Sequence, residues 1–307
     1  MALSINELSS ITHKWIQPKL HDNIFDSNPY TQRMIRSSSY QSRDGGLTID
    51  VPLNYASVSS SGWFSGTETL NTTDNEVLTG ASYDWKNLYA NVTISEEEEL
   101  KNSGSSGVLN LLKSKVMVAE KTLKDLLGTG LYSDGTDAKS IVGLRDIVDV
   151  DQTVGGISQS TYSWWQAQQD TTTTTLTMSA LNKIYTDCTV DNDSPTVCLT
   201  TRTLFNSYYS LLQPQQRFQN SESAKGGFNS LLFNGIPVLA DSHCPANHLF
   251  LVHEPSAILW YHPKRNIVME DWMKPTNQQV KISRVLFMGA FGSTNNRLHG
   301  SFTGLTS

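Results

Sequence analysis

Possible metal ligands are concentrated in one short stretch of the chain, which contains His243, Cys244, His248 and His253. Histidine and cysteine bind zinc, and structural zinc sites favour CxxC or HxxxH spacings on ordered turns. Here the spacing is irregular, and Pro245 and an apolar strand separate the residues. Zinc binding stays open as an alternative, but the spacing favours histidines with surface or interface roles.

Acidic side chains form three further groups. The run Glu96–Glu99 could act as acid and base or bind a hard cation. Such a run at the start of a short helix is usually a solvated face that the helix dipole stabilises, and we prefer that interpretation. Asp149 with Asp151, and Asp191 with Asp193, are spaced as in calcium loops, but neither pair is followed by the required glycine and distal glutamate.

Enzyme signatures do not occur in the sequence. The glycines around Asp134-Gly135 follow a helix and fit neither GxxxxGK[ST] nor GxGxxG, so they predict a tight turn. No GxSxG or HExxH motif is present. Trp164-Trp165 could stack on a sugar or a base, although a tryptophan pair more often contributes to packing. The sequence therefore predicts no enzyme, no cofactor and no metal site.

Composition excludes several other classes of protein. The 307 residues can form one large domain or two modest ones, and the net charge of −6 argues against a general nucleic-acid coat. Charged residues are only 17%, so Ser, Thr, Asn and Gln supply much of the polar surface, which suits protein contacts. Neither a secretion signal nor a membrane-spanning run is visible. Cys188, Cys198 and Cys244 are odd in number and lack a CxxC, which predicts folding without disulfides in a reducing cytoplasm.

One long helix is predicted from Ser105 to Leu127, ending in a left-handed C-cap at Gly128. Apolar residues recur there every three or four positions, and lysines and acids fill most of the other side. The apolar stripe consists of Val108, Leu112, Val116, Ala119, Leu123 and Leu126. A helix of this length crosses a whole small domain.

Two regions have too few apolar residues to fold by themselves. Residues 1–44 have little periodicity, and we interpret them as an arm that docks elsewhere. The strand Leu47–Leu53 leads into a long Ser/Thr/Gly/Asn-rich loop, and a strand resumes at Leu88–Ser95. The loop contains two aromatics in polar surroundings, Trp63 and Phe64. A two-stranded ribbon of this kind is marginal in water, so we expect it to lie on a neighbour.

The remainder of the chain mixes helices and strands. The patterns predict helices at Ser179–Asp187 and in the segment ended by Pro214, a buried strand at Val197–Thr200, and a hairpin turn at Asn234-Gly235. Apolar strands follow from Asn247 to the C-terminus. The order of elements predicts an α+β fold with a body made from two separated parts of the chain.

The stretch from Tyr89 to Val148 resembles a known family. A strand and a short acidic helix precede the long helix, which runs into Tyr132–Thr136, an Asp-Gly-Thr turn, and Ile141–Leu144, an Ile-x-Gly-Leu segment. This order is similar to that of the major capsid proteins of tailed bacteriophages, which have the Hong Kong 97-like fold. The strands from Asn266 to Phe291 resemble the long peripheral-domain sheet of that family.

The resemblance implies a division of the chain into defined parts. They are an N-terminal arm (1–45), an extended E-loop β-ribbon (46–92), a peripheral domain (93–145, with a spine helix at 105–128), an axial domain (146–257), peripheral return strands (258–295) and a C-terminal segment at the axial domain (296–307). The aromatic residues expected to contact other subunits are Trp15, Phe25, Tyr30, Trp63, Phe64 and Trp85.

The resemblance also implies a function without catalysis. The chain would be a structural head protein that assembles into hexamers and pentamers of an icosahedral shell around double-stranded DNA, formed in the host bacterial cytoplasm and found in the virion. Its expected partners are a portal protein, DNA held non-specifically on the inner face and a decoration or cement protein, but no membrane. The arm begins almost at once, which implies a separate scaffolding protein or none.

Three points remain open at this stage. The segment between Arg43 and Lys86 contains no lysine, so a lysine–asparagine crosslink, which some members of the family form, cannot be placed there. Strands, threonines and exposed aromatics also suit a glycan-binding or adhesion module. A metal-dependent hydrolase built on His243 and His248 is a further alternative.

Overall fold

The computed structural model of the chain describes residues 29–36, 38–101, 105–212 and 231–306. The helices are α1 (Pro29–Arg36), α2 (Glu96–Lys101), α3 (Ser105–Leu131), α4 (Leu144–Val148), α5 (Met178–Asp187) and α6 (Arg202–Leu212). The strands are β1 (Tyr40–Ser42), β2 (Thr48–Asn54), β3 (Leu78–Asp84), β4 (Lys86–Ser95), β5 (Thr153–Val154), β6 (Ile157–Ser158), β7 (Gln168–Asp170), β8 (Val197–Thr200), β9 (Leu231–Phe233), β10 (Ile236–Ala240), β11 (His248–Val252), β12 (Ala257–Met269), β13 (Val280–Ser293) and β14 (Gly300–Thr303).

Two sheets organise these elements, and the six-stranded sheet contributes side chains to both hydrophobic cores, for example Leu199 to one and Cys198 to the other. A four-stranded sheet has the order β1-β12-β13-β4, and a six-stranded sheet has the order β7-β14-β11-β8-β10-β9. Both sheets combine early and late parts of the chain, since β4 pairs with β13 and β7 pairs with β14. The predicted α+β class is confirmed.

The long helix α3 packs on the four-stranded sheet through β4. Its buried side chains include Val116, Ala119 and Leu123, as the apolar spacing predicted, and Leu127 is buried as well. The predicted C-cap at Gly128 is wrong, because the helix continues to Leu131. Leu131 is fully buried, and that burial outweighs the weak helix propensity of the glycines in the last turn. The side chains of the stripe residues Val108 and Leu112 lie outside the described part.

A two-stranded ribbon forms from β2 and β3, which pair antiparallel from Thr48 opposite Asp84 to Asn54 opposite Leu78. A strand does occur at the predicted position Leu88–Ser95, but the prediction that it forms the second strand of the ribbon is wrong. That segment belongs to β4, which pairs with β13 in the four-stranded sheet. The physical reason is that β4 alternates and buries one face, Ala90, Val92 and Ile94, on the body of the molecule.

Local signals in the six-stranded sheet predicted its elements well. The strand at Val197–Thr200 is found as β8, and the helix predicted at Ser179–Asp187 is found as α5. Asn234 and Gly235 have φ of 47° and 83°, the left-handed pair that a two-residue hairpin turn requires. The long strand β12 was not predicted as one element, because a register shift between Tyr261 and Asn266 interrupts its alternation.

The described end of the predicted arm, α1, docks on its own molecule. Tyr30 and Met34 are fully buried in the main core. Arg33 donates from Nε and Nη2 to the two carboxylate oxygens of Glu254, at 2.7 and 2.9 Å. The arm prediction is corrected for residues 29–36, because this bidentate pair and two buried side chains hold them to the body. No helix in the described residues is long and apolar enough to cross a membrane.

Candidate contact surfaces

The ribbon tip, defined here as residues 55–77, has the most exposed aromatic side chains among the described residues. Trp63 is 104% exposed and Phe64 is 66% exposed. Val58 and Leu70 are also more than half exposed. The tip contains no strand or helix. A group of exposed apolar side chains in one polar loop is typical of surfaces that contact other molecules.

Polar contacts, rather than a core, hold the two sides of the ribbon tip together. The backbone N–H and the hydroxyl of Ser59 both donate to Oδ1 of Asn75, at 2.9 and 3.0 Å. Nδ2 of Asn75 donates to the carbonyl oxygen of Ser57 at 3.3 Å. The tip thus has a defined shape that does not depend on burying its aromatic side chains.

The base of the ribbon is fixed to the body by Tyr83. Its hydroxyl donates to the carbonyl oxygen of Ser293 at 2.6 Å and accepts from the backbone N–H of Ser293 at 3.0 Å. The backbone N–H of Ser82 donates to the carbonyl oxygen of Gly155 at 2.9 Å. A side chain at residue 155 would not fit, since a Cβ there would lie 2.7 Å from the Cβ of Ala81. The ribbon therefore leaves the body in a fixed direction.

A buried polar cluster lies next to this anchor. It consists of His253, Ser256, Ser293 and His299, and we call it the joint. The side chain of His299 is fully buried, and its Nε2 lies 3.0 Å from the hydroxyl of Ser293 and 3.3 Å from that of Ser256. Its Nδ1 accepts from the backbone N–H of His253 at 3.3 Å, so the ring proton belongs on Nε2. Burial, with a smaller contribution from His253, lowers the pKa of His299 to about 3, so this histidine is neutral in the folded protein.

The described contact candidates have different environments. Trp63 and Phe64 are exposed at the ribbon tip. Trp85 is half-buried at the ribbon base, where its Nε1 donates to the carbonyl oxygen of Gly46 at 3.1 Å. Tyr30 is 0% exposed, and this burial removes it from the residues we propose for contacts between subunits. The remaining two candidates, Trp15 and Phe25, lie outside the described residues.

A second exposed apolar surface lies on α3. Val118 is 64% exposed, Met117 is 48% exposed and Leu126 is 44% exposed. Leu126 was predicted to lie in the buried stripe, but the helix turns this position away from the sheet. The same molecule thus presents both a projecting aromatic tip and a separate apolar helix face.

The possible zinc ligands do not converge. The ring nitrogens of His243 contact the carboxylates of Asp125 at 3.0 Å and Asp241 at 3.3 Å. Cys244 is buried, and burial raises the pKa of its thiol. Among the described residues, no group of three or more His, Cys, Asp or Glu side chains is placed to hold a metal ion. The other two histidines contact different groups, the carbonyl oxygen of Ala246 for His248 and the hydroxyl of Ser256 for His253.

Two of the glutamates in the acidic run contact lysines from distant parts of the chain. Lys115 of α3 donates to Glu98 at 2.6 Å, and Lys274 contacts Glu96. Glu98 is exposed, and the hydrogen bond from Lys115 holds its pKa below the usual range. These ion pairs support the interpretation of Glu96–Glu99 as a solvated helix start.

The tryptophan pair is a packing feature. Trp165 is 1% exposed, and its Nε1 donates to the carbonyl oxygen of Val154 at 3.2 Å. Trp164 stacks on Tyr55 with ring centroids 5.3 Å apart. Both tryptophan rings therefore pack against other parts of the molecule, which argues against the alternative that they stack on a sugar or a base.

One open cavity of about 220 Å³ lies beside the six-stranded sheet. Charged residues Asp134, Arg145 and Asp149 line part of it, and Arg145 pairs with Asp134 at 3.2 Å. Asp146 lies close by, and burial raises its pKa to about 6, with further contributions from Asp149 and Asp134. Arg145 is already paired with Asp134 within the molecule, and we assign no ligand to this cavity.

Sequence reasoning missed the joint and the ribbon anchor. Tyr83 belongs to an alternating strand, and His299 is a single histidine in a mostly polar segment. Neither position has a motif around it, because their roles depend on contacts with residues that are distant in the chain. The alternation of β3, which places Tyr83 on the buried face with Ala81, was the only available signal.

Comparisons with known proteins were made for both sequence and structure. No protein-family model matches the sequence, and no curated protein matches it either. The fold is similar to the capsid of cyanophage A-1(L), with a TM-score of 0.68, 15% identity, and coverage of 88% of this chain and 91% of that chain.

Two other solved structures extend this similarity. The capsid of the native GTA particle has a TM-score of 0.63 at 12% identity and covers 89% of this chain and 90% of that one. The holo-SrpI encapsulin complex from Synechococcus elongatus PCC 7942 has a TM-score of 0.59 at 11% identity, with 87% and 84% covered. These similarities span nearly the whole length of each protein. The chain therefore has the fold of tailed-bacteriophage major capsid proteins, the Hong Kong 97-like fold.

Proposed function

We propose that this chain is the major capsid protein of a tailed bacteriophage, a structural and non-enzymatic subunit that assembles into hexamers and pentamers of an icosahedral shell around double-stranded DNA. The observation that carries this proposal is the fold, which matches capsid subunits over about nine-tenths of both chains, as in the cyanophage capsid. The protein would be assembled in the host cytoplasm and end in the virion.

The projecting ribbon supports assembly through contacts between copies. A two-stranded ribbon without a third strand is marginal in water, and this ribbon also exposes Trp63 and Phe64. A neighbouring subunit would bury these side chains. Contacts between different surfaces of identical subunits repeat around a closed ring, and such heterologous contacts build capsomers.

We propose the following roles for the regions of the chain. The ribbon β2–β3 with its tip acts as the E-loop, the four-stranded sheet with α3 as the peripheral domain, and the six-stranded sheet as the axial domain at the centre of each capsomer. Residues before α1 act as an arm. A portal protein, a separate scaffolding protein and a decoration protein are the partners that this role implies, with DNA on the inner face.

Deletion of the ribbon tip tests the proposal. The wild-type protein should form particles of megadalton size when expressed, and removal of about Ser57–Thr79 should leave a soluble subunit that forms none. Negative-stain microscopy and gradient sedimentation measure both results, and circular dichroism checks that the deleted protein is folded. Normal shells from the deletion variant would contradict the E-loop role, and a wild-type protein that stays a small oligomer would contradict the capsid function.

A second candidate rests on the similarity to the encapsulin complex. In that case the protein would also form a closed shell, but one that encloses no packaged DNA. Nuclease-protected double-stranded DNA in particles from infected cells supports the capsid, and its absence supports the second candidate. The glycan-binding alternative is not favoured, because the fold matches shell proteins and Trp165 is buried.

A further inference from the structure

The charge of the chain is distributed unevenly. Between Arg43 and Lys86 there are six carboxylates and no lysine, arginine or histidine. The formal net charge of the whole chain is also −6, so the remaining residues carry equal numbers of acidic and basic side chains. The six are Asp44, Asp50, Glu68, Asp74, Glu76 and Asp84. The ribbon and its tip are therefore the acidic part of an otherwise balanced molecule.

The carboxylates of the ribbon tip form no ion pair with any cation in the part of the chain that the structure describes. Among the described residues, the six carboxylates form one ion pair, in which Nζ of Lys86 lies 3.8 Å from Oδ2 of Asp84. Glu68 accepts a hydrogen bond from the backbone N–H of Ser65 at 3.2 Å, within the tip itself. Three negative charges, those of Glu68, Asp74 and Glu76, thus accompany the exposed aromatic side chains.

A complementary group of cations lies at the other end of the ribbon, and we call it the basic bulge: Arg43, Lys264 and Arg265. All three side chains are exposed, and none forms an ion pair with a described residue. Backbone contacts fix their positions, since the N–H of Arg43 donates to the carbonyl oxygen of Tyr261 at 3.0 Å. The register shift that begins after Tyr261 turns Lys264 and Arg265 outward.

The basic bulge adjoins an exposed apolar side chain. Leu47, the residue before β2, is 95% exposed. Trp85 packs edge-on against His262 with ring centroids 6.0 Å apart, which places the ribbon base beside the bulge. The surface thus offers both cations and apolar area. These are the two features that acidic and aromatic side chains at a ribbon tip require from a partner.

A ribbon tip cannot reach the basic bulge of its own molecule. The bulge lies at the base of the ribbon, and the tip begins after the seven residues of β2. At about 3.3 Å per residue, the strand separates them by roughly 23 Å. That distance is well beyond the screening length of about 8 Å at physiological salt. The matching surfaces therefore belong to different copies.

We propose that the ribbon tip of one subunit docks on the basic bulge of a neighbouring subunit, as a non-covalent electrostatic latch. This inference rests on the proposed function and specifies which surface receives the E-loop. Glu68, Asp74 and Glu76 face the cations of the neighbour, and Trp63 covers the apolar area beside them. Because the tip of each copy engages the base of the next, the contact is heterologous and closes around a ring.

Charge reversal on the two surfaces tests the latch. K264E/R265E and E68K/D74K/E76K should each lower the particle yield at least about tenfold at low salt, since like charges then face each other across the contact. Combining all five substitutions should restore most of the yield, because the charges are again complementary. The control K183E/R202E makes the same charge change at two exposed positions on α5 and α6, beside the six-stranded sheet, and should leave the yield unchanged. Gradient sedimentation gives the yield, and circular dichroism checks folding.

The outcomes separate this inference from the proposed function. Wild-type yield from K264E/R265E overturns the latch but leaves the capsid function intact. If those particles contain less nucleic acid than wild type, the bulge contacts phosphate groups instead. Failure of the combined variant to regain yield also overturns the pairing. Absence of particles from the wild-type protein overturns both proposals.

Disulfide trapping gives an independent geometric measurement. Ser65→Cys with Pro263→Cys places one thiol in the tip and one in the bulge, while the native cysteines are buried. Oxidised particles of this variant should give a ladder of linked subunits in a denaturing gel without reductant. Ser65→Cys with Lys183→Cys is the matched control and should give none. A particle preparation without a ladder from the first variant overturns the latch.

Discussion

The ribbon tip and the joint are both rich in polar residues, yet they have opposite environments. In the joint, His299 and Ser293 are fully buried and bond to groups from different elements of the fold. In the tip, Ser59 and Asn75 bond to each other across a loop that is open to water. Hydrogen bonds in the joint are therefore part of the folded core, whereas those in the tip only shape a surface.

This difference shows how one chain can combine a stable body with the surface that we propose for assembly. The body buries its apolar side chains within a single subunit, and its stability follows from that burial. The ribbon tip leaves Trp63 exposed, so folding gains nothing from it. Substitutions in the body should therefore change the free energy of unfolding, and substitutions in the tip should change assembly instead.

Two tryptophans provide the largest expected contrast. Trp165→Ala removes a side chain that is 1% exposed and bonds to Val154, and should lower the free energy of unfolding by about 3–5 kcal/mol. Trp63→Ala removes a side chain that is 104% exposed and should change it by less than about 0.5 kcal/mol. Urea unfolding of the isolated subunits measures both, and the yield of particles should fall for Trp63→Ala. Equal losses in the free energy of unfolding for the two variants would contradict the contrast between the body and the tip.

Acid should weaken the joint more than the tip. In the unfolded chain His299 has the ordinary histidine pKa of 6.5. In the folded chain burial lowers the pKa of His299 to about 3. The contribution of this group to the free energy of unfolding is therefore fully present above about pH 6.5 and is lost as the pH falls towards about 3. The loss is on the order of a few kcal/mol. Urea unfolding at several pH values measures the loss.

Asp146 supplies the control for that pH series, because it acts in the opposite direction. Burial raises its pKa to about 6, so the folded chain keeps a proton there that the unfolded chain releases. This group adds stability as the pH falls from about 6 to about 4. The loss of stability in acid should therefore be steeper in Asp146→Asn than in wild type. A shallower loss in the variant would contradict these directions.

The smallest expected effect concerns the anchor of the ribbon. Tyr83→Phe removes the hydroxyl that bonds to both backbone groups of Ser293, and leaving them buried without this partner should cost about 1–3 kcal/mol. Tyr89→Phe is the matched control, because Tyr89 is 62% exposed and its loss should have almost no effect. Thermal unfolding compares the two. Similar midpoints for both variants would show that the anchor does not couple the ribbon to the body.

Prediction from sequence succeeded where the signal was local. The periodic stripe predicted α3, the Asn234-Gly235 pair predicted the hairpin, and the polar loop with Trp63 predicted an exposed tip. Prediction failed where distant contacts decide. Tyr30 was expected to meet another subunit, but Arg33 pairs with Glu254 and holds this helix on its own core. The ribbon was given the wrong return strand, because β3 and β4 both alternate and only their partners distinguish them.

By itself the sequence determined the periodic elements, the acidic character of residues 44–85 and the resemblance to capsid proteins, because these depend on residue types and their order along the chain. The tertiary structure alone decided that Arg43 joins Lys264 and Arg265 in the basic bulge and that His299 is neutral and buried. The physical reason is that pairing register and desolvation arise from residues far apart in sequence. No local sequence pattern identifies which of these distant residues are in contact.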